Sequence, residues 1–205
     1  MDWSQLGWVD FNLVFLPAAR EVLKGANPYM DPYFMSPPWA LYLVIPLALL
    51  PEILASLIWL GLGIGATLAS LHFAARHLGI APGRRRLVVI TLLLISPFSW
   101  AALLSGQLTP FVLLGVVGSF AWQGVALSLL LLSLKPHLGI LPALVLIIRQ
   151  CRLRRWRKLG GELLLFALVA ASGFLVVPGS TSFLKRMAYG NVYALEPQFM
   201  TSTLE

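Results

Sequence analysis

The chain has 205 residues, of which 59% are hydrophobic and 11% are charged, and its mean hydropathy is +0.84. Soluble domains carry about 25% charged residues, so this composition excludes a water-soluble globular domain. The formal net charge of +7 would suggest a nucleic-acid partner in a soluble protein, but the positions of the cations, described below, indicate a membrane protein. We expect an all-α, polytopic helical membrane protein with no nucleic-acid partner.

The N-terminal segment, residues 1–36, is too polar to cross a bilayer and is predicted to lie outside the membrane or along its interface. Tyrosine, tryptophan and phenylalanine recur through it, as they do where a chain lies at the level of the lipid headgroups. Within it, PAAREVLKG (Pro17–Gly25) predicts a short helix, because a proline begins it, helix formers follow and a glycine ends it.

Residues 37–177 are predicted to form the transmembrane domain, and residues 178–205 an outer-face tail or the start of a further loop. Because a helix needs about 20 apolar residues to cross a bilayer, we expect about six to seven spanning or re-entrant helices. Prolines break or kink several of the apolar runs. The apolar segments are at about 38–50, 52–75, 87–104, 109–122, 125–134, 138–148 and 162–177.

Two clusters of basic residues predict which connections face the cytoplasm. The first includes Arg76 and the run Arg84–Arg86, and the second lies within residues 149–158. Short cytoplasmic loops carry an excess of lysine and arginine. We therefore expect a multi-pass protein of a bacterial-type plasma membrane, with these basic loops in the cytoplasm and segment 1–36 outside. The same rule leaves the orientation of segment 38–50 open.

The apolar stretch 125–148 would then begin and end on the cytoplasmic side. It is predicted to form two short helices that meet on the outer side at LKPHLG (Leu134–Gly139). Each has about 11 residues, or roughly 16 Å, which is shorter than the ~30 Å hydrocarbon core. We expect them to line a water-filled cavity, where irregular backbone is tolerated at membrane depth.

Asp10, in the sequence WVDF, is the first candidate catalytic residue. Apolar and aromatic neighbours remove water from a carboxylate, and desolvation makes it a better base. The alternative is an ordinary capping or surface aspartate.

The stretch GANPYMDPYFMSPP (Gly25–Pro38) supplies a second set of candidates. It contains Asn-Pro-Tyr and Asp-Pro-Tyr, in which a turn-forming pair precedes an aromatic residue. One interpretation is a rigid wall against a sugar ring, with Asn27 and Asp31 forming hydrogen bonds beside Tyr29 and Tyr33. The other is an interfacial loop with tyrosines at headgroup level.

Three polar residues in the apolar part of the chain are the remaining candidates. A glutamine between apolar helices costs free energy unless it is paired, so Gln107 is either functional or a loop residue at the water interface. Lys135 and His137 interrupt a long apolar run. A lysine there extends to the interface, pairs with an acid or binds an anion such as phosphate. No cluster of His, Cys and carboxylate residues has metal-ligand spacing, so we expect no metal and no cofactor.

Three stretches in this order and spacing resemble glycosyltransferase family 87. They are VDFNLVFLPAAREVLKGANPYMDPYFMSPPWALYLVIPLALLP (Val9–Pro51), LLSGQLTPFVLLG (Leu103–Gly115) and LSLKPHLGILPALVLIIRQ (Leu132–Gln150). The resemblance covers about residues 8–158. That family contains polyprenol-phosphate-mannose-dependent mannosyltransferases, so the resemblance implies the GT-C fold, a multi-span helical enzyme whose first outer loop carries the catalytic acid.

The resemblance also implies roles for individual residues. Asp10 matches the aspartate that opens the first outer loop and would be the general base. Asn27 and Tyr29 belong to the family's Asn-Pro-Tyr, Gln107 to its Gly-Gln and Lys135 to its Lys-Pro, whereas His137 has no assigned counterpart.

The function implied is transfer of a hexose, expected to be mannose, from a polyprenyl-phosphate donor to a lipid or glycan acceptor. Asp10 would take the proton of the acceptor hydroxyl and Lys135 would neutralise the leaving lipid phosphate, with inversion at the anomeric carbon and without a metal. Family members typically have further spans on both sides. The chain is therefore expected to be truncated at both ends or to need a missing or separate subunit.

Two alternatives stay open at this point. A transporter or flippase subunit would also have broken helices and intramembrane polar groups. Except for Glu52 and Glu162, however, the acidic residues lie in the first 31 or the last ten positions, which favours chemistry in an outer loop over a proton relay within the membrane. The second alternative is an inactive fragment of such a glycosyltransferase.

Overall fold

The computed structural model describes residues 9–121 and 124–189, and every regular element in them is helical. This confirms the all-α prediction. The first eight residues of the predicted interfacial segment and the predicted tail from residue 190 onward lie outside the described residues. The helices are α1 (Leu16–Leu23), α2 (Ile45–Ala48), α3 (Glu52–His77), α4 (Arg84–Leu94), α5 (Pro97–Leu104), α6 (Thr109–Ala121), α7 (Val125–Ser133), α8 (Pro136–Arg152), α9 (Trp156–Val176) and α10 (Thr181–Tyr189).

The first helical stretch begins earlier than the sequence predicted. Helical backbone is present from Val9, and a π-helical turn, Phe11–Phe15, leads into α1. The π-helical turn ends two residues before Pro17. Proline has no N–H to donate, and its ring interferes with the preceding turn of an α-helix. The predicted end is correct, since Gly25 has a φ of +75° and closes the helix in the left-handed conformation that favours glycine.

Two helices are long and apolar enough to cross a membrane in the described part of the chain. Helix α3 has 26 residues and α9 has 21, which correspond to about 39 Å and about 31 Å at 1.5 Å per residue. Helices α4 and α5 pass the same test together, but they are bent by 55° at the break before Pro97, so they form a broken span or a re-entrant pair. The expected total of six to seven spanning or re-entrant helices stays a prediction.

Segment 38–50 is not a regular helix. It forms a 3-10 segment, Pro38–Leu43, followed by the short α2, because prolines at positions 37, 38, 46 and 51 interrupt the backbone hydrogen bonding. It packs tightly against α9, where a Cβ atom on Gly173 would lie only 2.9 Å from the backbone nitrogen of Trp39. Its orientation in the membrane stays open.

Helices α7 and α8 form the predicted pair that meets at Leu134–Gly139. Leu146, in the third quarter of α8, packs against Val125 and Leu129 of α7, so the chain reverses direction between the two helices. The crossing is close at the tip, because a Cβ atom on Gly139 would lie 2.0 Å from the carbonyl oxygen of Leu132. Helix α8 extends further than the predicted segment 138–148.

The main core surrounds Trp59 of α3. Phe11 stacks on its indole ring with 4.9 Å between centroids, and Phe111 of α6 lies at 5.1 Å. The indole Nε1 donates a 2.9 Å hydrogen bond to the carbonyl oxygen of Gly106. Because each buried aromatic side chain contributes about 1.5–3 kcal/mol, this cluster fixes the N-terminal helix against the turn between α5 and α6.

Candidate functional site

A cavity of about 380 Å³ lies between the N-terminal helix, the loop after α1, and the tip of the α7–α8 hairpin. Four predicted site residues, Asp10, Tyr33, Lys135 and His137, line it together. They come from parts of the chain that are far apart in sequence. The full lining is Asp10, Val14, Phe15, Tyr33, Met35, Ser36, Leu134, Lys135, Pro136, His137 and Met187.

Asp10 is held at the cavity by its backbone. Its amide donates a 2.8 Å hydrogen bond to the carbonyl oxygen of Ser105, in the turn between α5 and α6. Its side chain makes no capping hydrogen bond to the helical turn that follows it. The half-buried carboxylate is therefore not used as a helix cap. The other alternative, an ordinary surface aspartate, stays open, and so does the catalytic role.

Lys135 occupies the break between α7 and α8, outside the candidate spans. Its Nζ donates to Gln107 Oε1 at 3.2 Å and to Thr109 Oγ1 at 3.0 Å. The Thr109 hydroxyl in turn donates to Gln107 Oε1 at 3.0 Å. Both acceptors are neutral, so they fix the position of the ammonium group without neutralising its charge.

The protonation of Lys135 depends on two opposing effects. Burial lowers the pKa of the ammonium group below its ordinary value, because desolvation disfavours the charged form. The carboxylate of Asp10 acts in the opposite direction and raises that pKa. The two groups therefore interact electrostatically across the cavity that both of them line.

Gln107 is paired rather than free in a loop, and the preceding glycine explains how it is placed. Gly106 has a φ of +72°, a conformation that favours glycine, and its carbonyl oxygen accepts the bond from Trp59. Thr109, which the sequence analysis missed, completes the arrangement from the first position of α6. Its nearness to Gln107 in sequence was the only signal that could have identified it.

Asn27 and Tyr29 build the loop after α1 and are not among the residues that line the cavity. The side chain of Asn27 accepts a 2.9 Å hydrogen bond from the amide of Tyr29. Tyr29 is only 3% exposed, and its hydroxyl donates to the carbonyl oxygen of Ser36 at 2.9 Å. Burial raises the pKa of the Tyr29 hydroxyl above its ordinary value, and the nearby Arg186 guanidinium opposes this shift. Direct ligand binding by this pair stays a prediction.

Asp31 and Tyr33 form the exposed turn of the same loop. The side chain of Asp31 accepts a 2.8 Å hydrogen bond from the amide of Tyr33, which fixes the turn. Tyr33 is 75% exposed and lines the cavity, whereas Asp31 does not. Tyr33 is therefore the tyrosine of this stretch that lines the cavity, and a wall against a sugar ring stays a prediction.

His137, in the first turn of α8, is exposed and lines the cavity. In the part of the chain that the structure describes, no group of three or more His, Cys, Asp and Glu side chains is placed to hold a metal ion.

Arg186 of α10 is a further residue that the sequence analysis missed. Its guanidinium donates hydrogen bonds to backbone carbonyl oxygens in the loop after α1. The adjacent Met187 lines the cavity. The segment that was predicted to be an outer-face tail or the start of a further loop therefore contributes Met187 to the cavity.

The arrangement combines two opposite charges in one partly apolar cavity. A half-buried carboxylate can take a proton from a hydroxyl group, and a fixed ammonium group can stabilise a phosphate oxygen. The cavity of this helical membrane protein therefore brings together a candidate general base and a candidate anion-binding cation.

A comparison with models of known protein families identifies the family of this chain. The profile of glycosyltransferase family 87 matches residues 34–199. The chain therefore belongs to glycosyltransferase family 87 and is a membrane glycosyltransferase, which confirms the family resemblance found in the sequence. The matched region contains Gln107, Lys135 and Arg186, whereas Asp10 precedes it. No curated protein and no solved structure matches the chain.

Proposed function

We propose that this glycosyltransferase transfers a hexose, expected to be mannose, from a polyprenyl-phosphate donor to a lipid or glycan acceptor, with Asp10 as the general base. The observation that supports this most directly is that Asp10 and Lys135 line the same cavity. Family membership favours glycosyl transfer over the transporter or flippase alternative.

The proposed reaction is a single displacement. The carboxylate of Asp10 takes the proton of the acceptor hydroxyl as the acceptor oxygen forms a bond to the anomeric carbon of the sugar. The bond between that carbon and the phosphate oxygen breaks, and its electron pair leaves with the lipid monophosphate. Because attack and departure occur on opposite faces, the anomeric centre is inverted. No metal is required in this proposal.

Lys135 is proposed to stabilise the leaving phosphate. A group that is already fixed in the ground state stabilises developing charge without reorganising during the reaction. The two neutral acceptors on Lys135 supply that fixation. Since Asp10 raises the pKa that burial lowers, the carboxylate helps to keep the lysine protonated when the donor binds.

The dimensions of the cavity fit the polar part of the proposed donor. A volume of about 380 Å³ is at the small end of the range of about 300–1,000 Å³ typical of ligand pockets. It suits a sugar phosphate better than a complete polyprenyl lipid. We propose that the apolar chain of the donor lies outside the cavity, along the exposed apolar faces of the helices.

The position of the cavity along α3 supports an outer-face site. Trp59 and Ser56, in the first turns of α3, contact the cavity end of the protein through Gly106 and Asn12. Arg76 is in the last turn of the same helix. A length of about 39 Å exceeds the ~30 Å membrane core, so the cavity and the basic cluster lie on opposite sides if α3 spans it. We propose that the cavity faces outward and the basic loops face the cytoplasm.

The decisive experiment measures sugar transfer from a polyprenyl-phosphate donor in membranes that contain the protein. Asp10→Asn is expected to abolish transfer, because the amide has a similar shape and cannot take the proton. Glu21→Gln is the matched control, since Glu21 is an acid of the same helical stretch that pairs with the exposed Lys24.

Transfer at the wild-type rate by Asp10→Asn would refute the base assignment. Absence of transfer from the wild-type chain, restored by a second polypeptide, would instead identify the expected separate subunit. Absence that no second polypeptide restores would favour the inactive-fragment alternative.

A further inference from the structure

The loop after α1 accepts several hydrogen bonds from one side chain near the far end of the described chain. Arg186 of α10 directs both terminal nitrogens of its guanidinium at backbone carbonyl oxygens. A guanidinium carries five N–H donors in a rigid planar fork, so it can satisfy several carbonyls at fixed positions. Its Nη1 donates to Asp31 at 3.1 Å, Pro32 at 3.3 Å and Phe34 at 3.0 Å, and its Nη2 donates to Tyr29.

Two further contacts join the same regions. The buried ring of Phe183, in the first turn of α10, lies 6.3 Å from the ring of Tyr29 between centroids. Before α10, Gly179 has a φ of +67°, and a Cβ atom there would lie 2.1 Å from Cγ of Asn27. The turn and helix 179–186 therefore contact the loop at several points, and the contacts of Arg186 belong to an extended interface.

This fastened loop forms one wall of the cavity. Tyr33 and Ser36 line the cavity, and the carbonyl contacts of Arg186 lie on both sides of Tyr33. Tyr29, which accepts from Arg186, donates from its hydroxyl to the carbonyl oxygen of Ser36. Arg186 is not itself among the lining residues, so it can influence a bound ligand only through the loop.

We propose that Arg186 is a positioning residue for the transfer reaction, which holds the loop 29–36 so that Tyr33 and Ser36 form the binding wall opposite Lys135. This inference rests on the proposed function. A loop that no longer keeps its position contacts a bound donor or acceptor less well, so binding weakens and the KM for that substrate rises.

The test compares Arg186→Gln with Lys185→Ala in the full chain. Lys185 is an exposed cation on the same helix, so its removal controls for the loss of charge from α10. Two measurements are made: amide hydrogen exchange in residues 29–36, and the kinetics of transfer at varied donor and acceptor concentrations. Arg186→Gln is expected to accelerate exchange and to raise a substrate KM by about tenfold, whereas Lys185→Ala leaves both unchanged.

The separation of KM from kcat distinguishes positioning from loss of folded protein. Fewer folded molecules would lower the apparent kcat and leave KM unchanged, whereas a displaced wall raises KM. If Arg186→Gln does not fold, Gly179→Ala provides a second variant, because its new Cβ displaces Asn27 and leaves the arginine intact. It is expected to accelerate exchange in the same residues and to raise the same KM.

Unchanged exchange in 29–36 would overturn the inference, and so would faster exchange with a wild-type KM. The exchange measurement does not depend on the chemistry. Transfer that does not depend on Asp10 would refute the base assignment of the proposed function, while the exchange comparison would still decide whether Arg186 holds the loop.

Discussion

Helices α4 and α8 both have cations at their N-terminal ends. The two ends differ in how far the cations are buried and in the side chains that they contact. Lys135, at the start of α8, is half-buried, fixed by Gln107 and Thr109, and lines the cavity. Arg84 and Arg85, in the first turn of α4, are exposed. A cation at a helix N-terminus opposes the helix dipole, at a cost of about 0.3–1 kcal/mol.

A cation that opposes the helix dipole therefore needs a different explanation in α8 than in α4. At α8 the neighbouring side chains fix one ammonium group where a ligand can reach it, which is what binding an anion requires. At α4 the cations remain in solvent, and the accumulation of basic residues between apolar runs fits a role in membrane orientation. Under the proposed function, it is the surroundings of a cation, and not its charge or its place on a helix, that separate the residue acting on the substrate from the residues that orient the protein.

Among the variants that test this comparison, Lys135→Ala has the largest expected effect. Loss of a preorganised group that stabilises developing negative charge lowers kcat by about 100- to 1,000-fold, measured as initial rates of sugar transfer in membranes. The control is Lys24→Ala, which removes an exposed lysine that pairs with Glu21 at the end of α1. A Lys135→Ala variant within threefold of the wild-type rate would contradict the proposed role and remove the contrast between the two ends.

A smaller effect is expected from Gly139→Ala, which tests the hairpin tip that presents Lys135. The added methyl group would lie 2.0 Å from the carbonyl oxygen of Leu132, so the helices must separate. Overpacking of this kind costs about 1–3 kcal/mol, which would appear as a lower melting temperature in detergent and as reduced transfer.

The control for the hairpin is Gly161→Ala in α9, where a Cβ atom would meet nothing within 4 Å. Alanine is favoured over glycine in a helix by about 0.5–1 kcal/mol, so this variant should melt at the same temperature or slightly higher. Equal melting temperatures for both alanine variants would show that the tip is not closely packed.

The contrast between local and distant interactions also explains how much the sequence could predict. The break at Lys135–Pro136 and the helix end at Gly25 follow from proline and glycine, whose backbone effects are local. The π-helical turn before Pro17 has no such unambiguous signal, since a proline is equally compatible with a helix start. The predicted helix start at Pro17 is therefore later than the observed one at Val9.

Distant partners were harder to infer than backbone breaks. Asp10 and Lys135 were recognised as candidates because placing an ionisable residue in apolar surroundings costs free energy, so such residues tend to be functional. The family resemblance had already implied that they act in one reaction, whereas the packing around Trp59 and the turn at Gly106 that bring them to one cavity are not encoded in any spacing of the sequence. Arg186 lies in a short amphipathic stretch, where an arginine normally has solvent as its partner. Its contacts with the loop 29–34 therefore gave no signal in the sequence.

The smallest effect is expected from Arg84→Gln, which tests the other end of the comparison. Arg84 is exposed in the first turn of α4, so its removal takes away an unfavourable interaction with the helix dipole and gains a few tenths of a kcal/mol at most. Transfer should remain within twofold of wild type, and the melting temperature should stay the same or rise slightly. One remaining arginine pair, Arg85 and Arg86, still marks the connection as basic, so orientation should be preserved. A tenfold loss of transfer would mean that an exposed cation far from the cavity contributes to the reaction. Burial would then not distinguish Lys135 in α8 from the arginines of α4.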